Sequence, residues 1–298
     1  MGFDNAYEAI TEEVDDHRWA FGTGFVEPLS GIDAALPTGV AGDDVAAYCL
    51  MLGDDALIMS HRLQQWLTNA PELEEETALA NIALDLLGQA RLLFTRAGAA
   101  DGSGRDEDAY AFLRSEAEFR NVRLVEPVDI DFAGLVVRLL VFSTWRLALL
   151  QRLRGTHDPI LSAVAGRGVN EVTYHRDYAA QWVVRLGDGT DFSRQRIIAA
   201  LAVVAPFVDE LFVASDIERR LVDVDVAVQP SALRPEVEAV LIEVLGSAGL
   251  VWPHGCAANT VAADAPAAAG HDGRHLAELR DAVAELQSVA RACPGAVW

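Results

Sequence analysis

The sequence contains no lysine, so all 23 of its basic residues are arginines. They are outnumbered by 45 acidic residues, which gives a formal net charge of −22 at pH 7. A field of this sign repels phosphate groups, so the composition excludes a nucleic-acid-binding protein and a protein that binds anionic membranes.

Cysteines and long apolar runs are scarce as well. Cys49, Cys256 and Cys293 are far apart and form no CxxC pair, which argues against a zinc site or a disulfide framework. No apolar run approaches the roughly 18 residues that a membrane span needs. The acidic N-terminal residues also lack the apolar core of a signal peptide. We therefore expect a cytoplasmic protein without a membrane span.

Helical periodicity, in contrast, covers most of the chain, and strand signals are almost absent. The 298 residues are 51% hydrophobic with a mean hydropathy of +0.18, which is enough to bury a core. Residues 1–42 mix glycine, proline and acids without a period and predict a partly flexible N-terminal extension. Residues 43–298 are expected to form one helical domain.

Apolar residues recur at helical spacing in four long segments. These segments span about 43–67, 72–97, 129–154 and 158–185. Shorter helices are expected at about 109–122, 191–220, 234–246 and 274–291. Long helices joined by short or medium connections predict an all-α antiparallel four-helix bundle with additional C-terminal helices.

Such a bundle often holds two iron ions. The usual ligands are a Glu from each of two helices and a Glu-x-x-His pair from each of the other two. No Glu or Asp lies three residues before a His in the four long segments. What remains is Glu171 with His175 and Asp85 with Gln89, each pair four residues apart on one helical face. No metal and no catalytic residue is predicted for this chain.

Glu171 and His175 also suit a hydrogen-bonded pair within a helix or between helices. The Gln89 amide binds iron poorly, and a hydrogen bond to Asp85 or His175 would leave a polar network where a metal otherwise lies. The alternative is a di-iron oxygenase with unorthodox ligands around Glu171, His175 and Asp85. No nucleophile elbow, P-loop or dinucleotide motif indicates another enzyme class.

Four segments of the chain resemble a known family. The first is Leu52–Ala97, which contains "APELEEETALANIALDLLGQAR", and the others are Glu126–Leu153, Glu171–Thr190 and His275–Trp298. They are similar to the PaaC (also PaaI) family, whose members are subunits of the bacterial phenylacetyl-CoA ring-1,2-epoxidases, and the similarity extends over about residues 44–298. It implies a ferritin-like fold and a place in a monooxygenase complex that degrades phenylacetate.

The resemblance also implies which subunit of the complex is catalytic. Members of the PaaC family pair with a di-iron PaaA-type catalytic subunit, next to a PaaB-type subunit and an NADPH-dependent reductase, and hold no cofactor themselves. Where a catalytic relative would read Glu-Leu-Gly-His, this chain reads Leu86-Leu87-Gly88-Gln89, and Val172 lies three residues before His175. Asp85, Gln89, Glu171 and His175 are then remnants of a lost metal site.

Two further expectations concern packing. Trp66, Leu92, Leu93 and Phe94 belong to apolar faces that suit either the intramolecular core or a large interface with the catalytic partner. Because the chain has few cations, most of its helical arginines are expected to form salt bridges within the bundle. These arginines are Arg62, Arg91, Arg138, Arg146 and Arg152.

Overall fold

A computed structural model describes residues 29–253 and 271–294. Within these ranges the chain forms helices and turns and contains no strand. Residues 1–28, which make up most of the predicted N-terminal extension, lie outside the described part.

Four long helices and one short helix form the first half of the fold. Their bounds are α1 Gly42–Gln64, α2 Leu73–Ala100, α3 Glu107–Phe112, α4 Phe132–Leu153 and α5 Pro159–Gly187. Aspartates begin two of them: Asp131 accepts a hydrogen bond from the Gly134 N–H, and Asp158 accepts from two N–H groups at the start of α5. Side chains at these positions satisfy amides that lack an intrahelical partner.

The contacts fix the directions of the helices. Gly42 approaches Ala100, while Ser60 near the other end of α1 donates a hydrogen bond of 2.7 Å to the Ala83 carbonyl, so α1 and α2 run antiparallel. The rings of Phe132 and Trp182 meet edge to face with centroids 4.9 Å apart, which pairs the start of α4 with the end of α5.

Helices α2 and α5 are also antiparallel. Glu75 near the start of α2 accepts hydrogen bonds from Tyr178 (2.7 Å) and Trp182 (2.8 Å) near the end of α5. The long connection 101–131 then returns the chain so that α4 runs parallel to α2. One long crossover of this kind is typical of ferritin-like bundles. The described residues form helices and no strand, which confirms the predicted all-α fold class.

Helix α4 lies at the centre of the bundle. Of its 22 residues, 18 are buried, as its apolar sequence predicts. By length and composition α4 is apolar enough to cross a membrane, but 94% of its most apolar 18-residue stretch is buried inside the protein. Leu92, Leu93 and Phe94 of α2 are buried too, so they belong to the core of this chain rather than to a partner's interface.

Two of the predicted shorter helices differ from the structure. The segment 191–220 divides into α6 (Asp191–Val204) and α7 (Asp216–Val222), because Pro206 has no N–H for a continuing helix. The segment 109–122 is α-helical only up to Phe112, in α3, and otherwise contains one short 3-10 turn at Glu116–Glu118. Beyond it, the buried carboxylate of Asp54 accepts from the Arg120 N–H, and this contact holds the backbone outside a helix.

Three further helices complete the described part of the chain. They are α8 Arg234–Ser247, α9 Ala277–Leu286 and α10 Ser288–Ala292. The segment that carries α9 and α10 is fixed to the bundle by His275, whose Nδ1 lies 2.7 Å from Glu126 and whose Nε2 lies 2.9 Å from the Phe119 carbonyl. The Leu276 N–H donates to the same Glu126 carboxylate.

Most of the helical arginines form the expected salt bridges. Arg91 pairs with Glu107, Arg152 pairs with Glu236, and buried Arg138 pairs with buried Asp129. Arg62 differs, because it donates to the backbone carbonyls of Glu126 and Glu278. The fifth arginine, Arg146, belongs to the candidate site.

Candidate functional site

The structure brings all four candidate residues together between α2 and α5. His175 Nε2 lies 3.0 Å from Asp85 Oδ2, and Gln89 Nε2 donates a hydrogen bond of 2.9 Å to Glu171 Oε2. Both contacts join one helix to the other. The sequence predicts Asp85 or His175 as the partner of Gln89; the actual partner is Glu171, because the antiparallel register places residue 89 opposite residue 171.

A fifth residue, Arg146 of α4, completes this network. Its side chain has no solvent exposure; its Nε donates to Gln89 Oε1 (2.9 Å) and its Nη1 donates to the Leu52 carbonyl of α1 (3.2 Å). The two ends of the Gln89 amide are thus both bonded, one to a cation and one to a carboxylate. The guanidinium therefore links α4 to α1 and α2, and the Gln89 amide extends the network to Glu171 of α5.

The charge on Arg146 is permanent at physiological pH. Burial lowers the pKa of its guanidinium to about 10, and the carboxylates of Asp55 and Glu171 act against this shift. Arg146 Nη2 has no hydrogen-bond partner among the described residues. The bundle centre thus holds a protonated side chain among carboxylates.

The network reaches the surface at one edge only. The His175 side chain is 1% exposed, whereas Asp85 is 38% exposed and Glu171 is 18% exposed. Exposed Arg167 donates to Glu171 from one turn earlier on α5 (3.0 Å). Leu86 and Val172, at the positions where the resemblance implies glutamates, are fully buried apolar residues.

A second buried charge cluster lies beside the first and contains His271. His271 Nε2 lies 3.0 Å from Asp55 Oδ2 of α1, and its Nδ1 lies 3.3 Å from Glu218 Oε1 of α7. Burial disfavours the imidazolium, but the two carboxylates outweigh it and raise the pKa of His271 to about 10. His271 is therefore charged at neutral pH and forms part of a buried ion-pair cluster.

Sequence comparison identifies the family. The chain matches the family model described as phenylacetic acid catabolic protein over residues 34–298. It belongs to this family. One curated member, the C subunit of the 1,2-phenylacetyl-CoA epoxidase of Escherichia coli (strain K12), is 39% identical over 256 residues, which cover 86% of this chain and 100% of that protein. The resemblance found in the sequence is confirmed.

The residues at the centre of this bundle do not fit a di-iron group. No cluster of three or more His, Cys, Asp or Glu side chains suited to a metal occurs in residues 29–253 and 271–294. Iron needs several carboxylate and imidazole donors, whereas this centre combines two carboxylates and one imidazole with an amide and a guanidinium, which do not bind iron. A fixed cation next to the remaining donors would also repel a metal ion.

An open groove lies away from this network, at the end of α1. Its volume is about 840 Å³. It is lined by Arg62, Gln65, Trp66, Asn69, Val128, Asp129, Ile130, Asp131, Phe132 and Glu285. None of the four candidate residues contributes to it.

The sequence reveals only part of the site. Asp85, Gln89, Glu171 and His175 are identifiable by their i,i+4 spacing on long helices. Arg146 is predictable as a salt-bridge partner, but nothing in the sequence places it beside Gln89. The available signal is that α4, the most apolar helix, carries arginines but no carboxylate, so a buried arginine there must find partners on other elements.

Proposed function

We propose that this chain is a non-catalytic structural subunit of a multicomponent phenylacetyl-CoA ring-1,2-epoxidase, in which it pairs with a di-iron catalytic subunit. The observation that carries the proposal is the bundle centre, where Arg146 and Gln89 lie among the residues that could otherwise bind metal. Membership of the phenylacetic acid catabolic family supports the pathway, and the similarity to an epoxidase subunit supports the complex.

In this proposal the chain contributes shape and stability rather than chemistry. Its protonated Arg146 supplies a positive charge at the bundle centre and is hydrogen-bonded to Gln89 of α2 and to the Leu52 carbonyl of α1. The di-iron centre belongs to the PaaA-type partner, and electrons come from an NADPH-dependent reductase, with a PaaB-type subunit as a further component. The whole complex works in the cytoplasm.

Reconstitution tests the proposal. This chain and its di-iron sister subunit are purified separately and together, and each sample is assayed with the reductase for NADPH-dependent oxygenation of phenylacetyl-CoA. We expect no turnover by this chain alone, and turnover by the complex that exceeds that of the sister subunit alone. Oxygenation by this chain without its sister would instead establish the alternative, a di-iron oxygenase with unorthodox ligands around Asp85, Glu171 and His175.

A further inference from the structure

Helix α2 is apolar on two opposite faces. One face packs into the bundle through Leu79, Ile82, Leu86 and Leu93. The other face, which we call the outer stripe, points away from the bundle. It consists of the apolar residues Leu73, Ala80, Leu84 and Leu87 and of the polar residue Thr77, whose hydroxyl donates to the Leu73 carbonyl. A surface helix normally has polar residues on its outer face, so this second apolar stripe needs an explanation.

The outer stripe has the spacing of a helix-pairing seam. Its residues are separated by four, three, four and three positions, which is the a/d spacing by which one helix packs along another. It runs for about 21 Å along the helix. Its three leucines remain exposed to solvent, because Leu73 is 72% exposed, Leu84 is 62% exposed and Leu87 is 39% exposed, while Ala80 is half-buried.

Gly88, next to this stripe, supports a close approach by another backbone. It lies in the middle of α2, where glycine costs about 1 kcal/mol relative to alanine. A Cβ atom built on Gly88 would meet nothing within 4 Å, so no contact within the described chain requires a glycine there. A helix that packs across this position from outside would benefit from the missing side chain.

The charges around the outer stripe indicate which helix binds there. Exposed Glu74 and half-buried Glu76 flank its first residues, at positions that face the edges of a paired helix. A second copy of this chain would bring a further net charge of −22 to the interface. A helix with basic residues at its edges is favoured instead.

We propose that the outer stripe of α2 binds an amphipathic helix of the di-iron sister subunit, with apolar residues at alternating three- and four-residue spacing and basic residues opposite Glu74 and Glu76. This inference rests on the proposed function and deepens it by naming the surface. Asp85, where the buried network reaches the surface, directly follows Leu84 of the stripe on the same helix.

Charge substitutions in the stripe test the inference. Leu84→Glu and Leu87→Glu are made in the full chain, which is co-expressed with the sister subunit and purified through a tag on that subunit. Ile242→Glu on α8 is the matched control, because Ile242 is 60% exposed in mid-helix. We expect about tenfold or greater weakening of binding for the stripe variants and unchanged binding for the control. Circular dichroism should show the same helix content in all of them.

The possible outcomes distinguish a failure of the proposed docking surface from a failure of the proposed function. Binding that survives both stripe substitutions would overturn the outer stripe as the docking surface and leave the proposed function intact. Failure of the wild-type chain to bind the sister subunit would overturn both. A wild-type dimer of this chain that Leu84→Glu converts to a monomer would make a second copy the occupant and overturn the inference.

Discussion

Replacement of Arg146 by methionine lowers the free energy of unfolding by about 3–5 kcal/mol. Methionine keeps most of the side-chain volume but removes the cation that faces Asp55 and Glu171. It also leaves Gln89 Oε1 and the Leu52 carbonyl without their donor. Urea unfolding followed by circular dichroism measures the loss.

The matched control for this substitution lies on the same helix. Arg152→Met removes an ion pair with Glu236 in which both side chains are about 40% exposed (38% and 42%), and exposed pairs contribute only about 0–1 kcal/mol. Equal losses for the two variants would contradict a central electrostatic role for Arg146. A fully stable Arg146→Met protein would contradict it as well.

Stability falls as pH rises from neutrality towards 10, because His271 loses its proton. The pKa of His271 is raised to about 10 in the folded chain, above its ordinary value of 6.5. Its contribution to folding is therefore complete below pH 6.5 and is lost as the pH passes through the folded pKa. Between pH 7 and 10 we expect a loss of about 3 kcal/mol in the free energy of unfolding. His275, whose pKa is raised by Glu126 against the effect of burial, adds to the same trend.

Two variants separate His271 from other groups that titrate in alkali. His271→Gln should be less stable at pH 7 and should show a flatter pH dependence, since Asp55 and Glu218 then face a neutral side chain. His157→Gln, at an exposed position, should match the wild-type profile. A His271→Gln profile parallel to the wild-type curve would show that another group causes the alkaline loss.

The long helices are predictable because their signals are local. The Asp158-Pro159 start of α5 and the apolar periodicity of α4 are complete within the sequence, and the structure agrees with both. The segment 109–122 is not predictable in the same way. Its backbone is held by Asp54, which is more than fifty residues away, so no local pattern records the interaction.

The same distinction explains how much of the site the sequence predicts. Spacing identifies Asp85 and Gln89 on one helix and Glu171 and His175 on another. The partner of each side chain depends on the register between two antiparallel helices, which a sequence pattern does not give. Arg146 and His271 enter the core from other elements, and their roles depend on the tertiary fold alone.

The most direct measurement is the iron content of the purified chain, alone and in complex with its di-iron sister subunit. With Arg146 and Gln89 at the bundle centre, we predict no stoichiometric iron in the isolated chain, even after reconstitution with ferrous iron. In the complex, all iron should be accounted for by the sister subunit. About two iron ions per chain in the isolated protein would contradict the proposal, because a di-iron site would then exist among these residues.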